Sequence, residues 1–459
     1  MRLRSPVALL SAAVIGVYVL VIVGATAALA DAAAACQGWP LCSGDLSSPD
    51  VLIALFHRAV AVVVGLLVVS AAVVGWSSAA RRVKAALAVA LVLYPIQAAI
   101  GASLPAGRII ESLHLPAAMV IFGALVLALA WRLEAETGTD DVPEAVPDPE
   151  PPSPVPGEGD SPPSALVRSQ STAKRLKATA GAYFRLMKPR LMWLLCLVAG
   201  AGMVLAGTPA VRTVLLTLGG GVLAIGASGT FNHVLERDID RRMQRTSDRP
   251  LATHEVPVRN ALAFGGLLTV ASLWAFLSVN ILTAALGLAA IVFYTVVYTL
   301  ILKPNTVQNT VIGGAAGALP ALIGYAAVTG SVGLTGFVLA GVIFLWTPAH
   351  FYNLALAYRD DYERGGFPMM PVVRGETETR KHIVLYLGAT LLGAGALAAV
   401  SSLGWLYGVT TVLLGALFLW AVVRLHYEQT ERAAFRAFHA SNAYLGLVLV
   451  AVVVDGLAL

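Results

Sequence analysis

Asn232, Glu236 and Asp240 recur every four residues in FNHVLERDID. On a helix each such step rotates the side chain by about 40°, so the amide and the two carboxylates share a face and Asp238 points away from it. Oxygen donors of this kind suit Mg²⁺, which takes one or two carboxylates and completes its shell with phosphate and water. Two other stretches carry complementary groups: YTLILKPNTVQN, with Lys303 and Asn305, and AHFYNLALAYRDDYERGGFPMMPVV, with Arg359, Asp360, Asp361 and Arg364. If these stretches converge, carboxylates opposed across a cavity with Lys and Arg nearby would hold a diphosphate through Mg²⁺, its hydrocarbon tail lying between apolar helices. The plain alternative for any single cluster is a loop that is charged because it is wet.

The elements that must bring these groups together are membrane helices. Of 459 residues, 58% are apolar and 12% charged, about half the charge of an ordinary globular domain. Mean hydropathy is +0.78. A disordered chain, a nucleic-acid-binding domain and a disulfide-rich secreted scaffold are excluded, and the net charge of +5 belongs to loops beside a membrane. Uncharged runs begin near Val7, Val51, Ala85 and Leu113, and about nine more follow residue 179, so about thirteen transmembrane helices are expected in an all-α polytopic protein. The run from Val7 to Ala30 is as long as a full span and reads as an uncleaved helix rather than a signal peptide.

Between the two groups of helices, VPEAVPDPEPPSPVPGEGDSPPS alternates acids with proline and reads as a disordered aqueous linker. The expected organisation is a four-helix part at 1–132, a linker at 133–178 and a nine-helix part at 179–459. Arg2 and Arg4, the Arg81–Lys84 cluster, Arg132, Arg237 to Arg249, Lys303 and Arg359 to Lys381 fall on one side, which the positive-inside bias makes cytoplasmic together with the N-terminus.

The stretch NHVLERDIDRRMQRTSDRPL resembles the first signature of the UbiA superfamily of intramembrane prenyltransferases, and of its protohaem IX farnesyltransferase branch. LMKPRL at 186–191, YTLILKPNTVQNTVIGGAAGALPALIGYAA at 298–327 and FLWTPAHFYNLALAYRDDYERGGFPMMPVV at 344–373 follow in the same order. The resemblance covers residues 180 to 459 and implies a UbiA-type helical bundle in the cell membrane. It further implies transfer of a farnesyl group from farnesyl diphosphate to a vinyl group of haem b, giving haem O for terminal oxidases. On that reading Asn232, Glu236, Asp240 and Asp361 ligate Mg²⁺, with Lys303, Arg249 and Lys188 as cationic helpers. Asp360 is a weaker member of the second acidic motif, and His350 either touches the porphyrin or is a hydrogen-bonded structural histidine. Two positions depart from the superfamily pattern: His233 stands where many members have Asp, and Ala357 stands four before Asp361. The competing readings are a UbiA-type enzyme with a quinone precursor or lipid as acceptor, and a haem-carrying electron-transfer protein with merely solvated loop acids.

In the first part His57 and His114 lie at similar depth in two parallel helices, where opposed imidazoles suit haem iron. Cys36 and Cys42 fall on the outer side, where they either close a small disulfide loop or stay reduced; Cys196 reads as a packing residue. CQGWPLCSG, LFHRAVAVVVGLLVV and ESLHLPAAMVIFGALVLA resemble one half of haem A synthase, over residues 5 to 132. That resemblance implies bound haem at His57 and His114, and completion of an eight-helix unit by a homodimer or a haem A synthase partner. Ala54 stands where that family has Glu.

Overall fold

The computed structural model describes residues 5–29, 36, 38, 45, 47–103, 108–139 and 172–458. The proline-rich linker, Arg2, Arg4 and Cys42 lie outside the described residues. Among those described, thirteen helices are long and apolar enough to cross a membrane, four before the linker and nine after it. They are α1 (Ser5–Leu29), α2 (Pro49–Trp76), α3 (Arg81–Ala102), α4 (Arg108–Thr137), α5 (Pro189–Ala206), α6 (Val211–Asp240), α7 (Val258–Leu277), α8 (Ile281–Asn305), α9 (Asn309–Thr329), α10 (Leu334–Ala357), α11 (Glu376–Val400), α12 (Trp405–Glu428) and α13 (Glu431–Ala458). Their exposed flanks are apolar, as at Leu66, Val73, Leu215, Trp274 and Leu413, which suits lipid contact.

Several helices run on past the apolar windows expected from sequence. Helix α13 begins at Glu431 rather than near Ala443. Arg424 Nε donates to Glu428 Oε1 at 2.7 Å and Arg436 also pairs with Glu428, so the charged turn is held by its own ion pairs. Helix α6 likewise continues through the whole acidic stripe to Asp240.

The helices form two compact units, and packing groups them differently from the boundary at the linker. One unit comprises α1 to α4, the Gly341–Ala357 part of α10, and α11 to α13. Within it, Tyr18 of α1 hydrogen-bonds to Thr411 of α12 at 2.9 Å, and Thr411 to Tyr444 of α13 at 3.2 Å. Small residues let these helices approach: a Cβ on Gly395 would stand 2.8 Å from Val21 Cγ1. Lys381 Nζ donates to Glu134 at 3.3 Å, and Tyr427 OH to Glu136 at 2.9 Å.

The other unit comprises a surface helix, Thr172–Leu186, with α5 to α9 and the Tyr358–Gly375 segment. Here α5 and α9 meet backbone to backbone, since any Cβ on Gly202 or Gly324 would overlap the carbonyl of Ala321 or Ala199. Two local departures from regular helix shape this unit. Lys188, between the surface helix and α5, has φ 56 and ψ 57, a left-handed conformation uncommon for a side-chain-bearing residue. The second half of α8, Phe293–Leu302, is wound as a π-helix, a form that recurs at functional sites.

Candidate functional site

The polar end of α6 is where the second unit gathers its charge. Asn232, Glu236 and Asp240 are all buried there. Burial of two carboxylates requires partners, and each has one. Lys303, at the end of α8, donates to Glu236 Oε1 at 2.6 Å. Arg249 Nη1 lies 2.7 and 2.9 Å from the two oxygens of Asp240 and 3.8 Å from Glu236 Oε2, so one guanidinium spans both carboxylates. Lys188 Nζ donates to Asn232 Oδ1 and, at 3.2 Å, to the Tyr294 hydroxyl. Asn232 Nδ2 in turn donates to Thr299 Oγ1 at 3.1 Å. Burial, and then the nearby Arg249, lowers the Lys188 ammonium to about 8.

The π-helical half of α8 places Tyr294 and Tyr298 beside this cluster, with ring centroids 5.5 Å apart. Neither carries a charge that marks it in the sequence, although their four-residue spacing repeats that of the acidic stripe. Arg245 likewise has no sequence signal that separates it from the neighbouring loop arginines. Its guanidinium lies over the Tyr358 and Tyr362 rings and donates to the Tyr362 hydroxyl at 3.1 Å. His233 is buried with Nδ1 unpartnered.

Asp361 belongs to the short helix Arg359–Arg364 and is engaged with the loop after α6. Its Oδ1 accepts the backbone N–H of Gln244 at 2.8 Å and Arg364 Nη2 at 2.6 Å, and its Oδ2 accepts the N–H of Arg245 at 3.1 Å. Both oxygens are thus committed to shaping the segment that carries Arg245 and Arg249. Asp360 is 79% exposed, 3.9 Å from Arg359, and is not drawn into the cluster.

An apolar cavity adjoins Lys188 and Tyr294 and runs between α5, α6, α7, α8 and α9. Leu191, Leu195, Ala224, Ile225, Phe276, Pro320 and Ile323 are among its walls, and Cys196 lines it rather than filling core. A charged, oxygen-rich mouth therefore opens on a greasy slot, an arrangement suited to a molecule with an anionic head and a hydrocarbon tail.

In the other unit, His57 of α2 and His114 of α4 face each other with ring centroids 6.4 Å apart and planes at 61°. His114 Nδ1 is 3.0 Å from Gln97 Nε2, while His57 Nδ1 has no partner. Gly101 and Gly24 lie against the two rings, where a Cβ would come within 3.0 and 3.4 Å of the respective Cε1 atoms. His350 stacks between Trp346 and Phe438 at 4.2 and 4.5 Å, with Nδ1 2.7 Å from Ser441 Oγ. Since Ser441 donates to the Phe438 carbonyl at 2.7 Å, the proton between Ser441 and His350 is the imidazole's. Cys36 is disulfide-bonded; Cys42, its expected partner, lies outside the described residues.

The UbiA prenyltransferase family matches residues 193–445. A protein named Protoheme IX farnesyltransferase 1 from Natronomonas pharaonis is 76% identical over 451 residues, 98% of each chain. Protoheme IX farnesyltransferase from Haloarcula marismortui is 67% identical, covering 99% of each chain. The solved structure of a digeranylgeranylglyceryl phosphate synthase is 16% identical and covers 61% of this chain and 99% of its own, with a TM-score of 0.52, a likeness of fold alone. The two relatives align through the N-terminal helices under the farnesyltransferase name, so these matches lend no support to a separate haem A synthase half.

Proposed function

The chain belongs to the UbiA prenyltransferase family, and from that premise we propose that it transfers the farnesyl group of farnesyl diphosphate to a vinyl group of haem b, forming haem O. The observation that carries this reading is the acidic stripe of α6, interlocked with Lys188, Lys303 and Arg249 at the mouth of an apolar slot. The near-full-length relatives named for this activity support the acceptor.

Asn232, Glu236 and Asp240 offer one amide and two carboxylates on a single helix face, a donor set that fits a hard cation. These three would hold Mg²⁺, which supplies charge neutralisation to the leaving diphosphate. Asp361 enters as the anchor of the 244–245 turn, the role its contacts support. Lys303, Arg249 and Lys188 then exchange carboxylate and amide partners for phosphate oxygens, and their donors stabilise charge that grows as the allylic C–O bond breaks. The bonding pair leaves with the diphosphate. Apolar walls keep water from the allylic cation until the vinyl π electrons attack it. Water then adds to the cation left on the vinyl carbon and loses a proton, which gives the hydroxyethyl group of haem O. The polar mouth, by its Lys and Arg content, faces the cytoplasm.

Purified protein supplied with haem b, farnesyl diphosphate and Mg²⁺ is expected to yield haem O by mass spectrometry. Prenylation of an aromatic acid with no haem product would overturn the acceptor assignment.

A second reading, for the first unit, rests on the opposed imidazoles of His57 and His114 and on the unpartnered His57 Nδ1. Their pairing supports a bound haem there, with Gln97 orienting the His114 ring. A bis-histidine absorption spectrum that survives a His57→Ala, His114→Ala double substitution would exclude these ligands.

A further inference from the structure

The apolar slot has a measurable length along α6. Its lining starts at Gly229, beside Lys188, and reaches Thr217 twelve positions earlier. At 1.5 Å per residue this is about 18 Å. Near the far end stands Phe276 of α7, fully buried and part of the cavity wall.

The Phe276 ring is wedged between two backbones. A Cβ on Gly220 of α6 would stand 2.9 Å from its Cδ1 and Cε1, and a Cβ on Gly287 of α8 would overlap its opposite edge. The ring therefore fills the gap between α6 and α8 at the level of Gly220, nine positions from Gly229, or about 14 Å. With C–C bonds of about 1.5 Å, the twelve-carbon main chain of a farnesyl group zigzags over about 14 Å and the sixteen-carbon chain of a geranylgeranyl group over about 19 Å.

We propose that Phe276 sets the prenyl chain length, its ring narrowing the slot at the level the third isoprenoid unit reaches and obstructing a fourth. This rests on the prenyl-transfer reading above. Gly221 provides an independent handle. It lines the slot, and a Cβ added there meets nothing within 4 Å, so a side chain can start from this wall of the slot without a clash at its first carbon.

The test uses the full-length protein in lipid nanodiscs, as wild type, Phe276→Ala and Gly221→Leu. Geranyl, farnesyl and geranylgeranyl diphosphates are compared for transfer to haem b and, without haem, for binding. Wild type is expected to favour farnesyl over geranylgeranyl at least tenfold. Phe276→Ala should shrink that ratio at least tenfold, and Gly221→Leu should move the farnesyl-to-geranyl ratio at least tenfold toward geranyl. A Phe276→Ala ratio within twofold of wild type would overturn the proposal whatever Gly221→Leu does, as would a wild type indifferent to the fourth unit. Should Phe276→Ala fail to fold, Phe276→Leu takes its place with the same expected direction, each variant being checked for a monodisperse elution profile. Binding ratios that shift as expected with no haem product would keep the ruler and reject the acceptor.

Discussion

Lys303 Nζ donates to Glu236 Oε1 at 2.6 Å although the two residues are 67 positions apart, and the same ammonium lies 4.3 Å from the centroid of the Phe367 ring. Both side chains are largely buried, and removing one member of such a pair leaves a charge uncompensated in a poorly solvated place. Lys303→Met is therefore expected to lower kcat/KM for farnesyl diphosphate by about 100-fold or more. Lys303→Arg should recover part of the loss. Steady-state kinetics check this, and unchanged kcat/KM in Lys303→Met would make the pair purely structural.

Asp240 is held by Arg249 through both carboxylate oxygens. Asp240→Ala removes a metal donor and also frees Arg249 from its place beside Glu236. Turnover to haem O should fall below detection while the protein still elutes as a folded species. Full activity in this variant would rule out the stripe as the metal site.

Much of this arrangement is legible in sequence, for identifiable reasons. The thirteen spans follow from hydropathy, because a bilayer demands long apolar runs. The stripe of Asn232, Glu236 and Asp240 follows from four-residue spacing on one helix. Pairing between Lys303 and Glu236 does not, since it depends on how α6 and α8 pack. Asp361 illustrates the same limit: its type suggests a ligand, whereas its backbone partners at Gln244 and Arg245 exist only once the loop is folded. The π winding of Phe293–Leu302, which delivers Tyr294 to Lys188, has no hydropathy signature. Nor does the grouping of α1 to α4 with α11 to α13, which depends on small residues such as Gly395 meeting Val21 across the chain.

Asp361→Asn should loosen the loop rather than empty a metal site. Loss of charge-assisted acceptance from two backbone N–H groups and Arg364 is expected to weaken that segment by about 1–3 kcal/mol. Hydrogen exchange should rise at Gln244 and Arg245, and KM for farnesyl diphosphate should rise more than kcat falls. An Asp361→Asn protein with unaltered exchange but a much greater Mg²⁺ requirement would return Asp361 to the ligand set.

Gly324 and Gly200 separate packing from helix propensity. A side chain at Gly324 collides with the Ala199 carbonyl, whereas a Cβ at Gly200 meets nothing within 4 Å. Gly324→Val should destabilise the fold by about 1–3 kcal/mol, seen as a lower Tm, and Gly200→Ala should leave Tm unchanged or raise it. Equal Tm values for the two variants would contradict the close α5–α9 contact.

The most direct test of the whole account is a single-turnover time course in which haem O and released diphosphate are quantified together, with Mg²⁺ present and after chelation. Equal amounts of both products in Mg²⁺, neither after chelation, and recovery when Mg²⁺ is restored are the predicted result. Haem O formed at an undiminished rate after chelation would contradict the proposed anchoring at Asn232, Glu236 and Asp240.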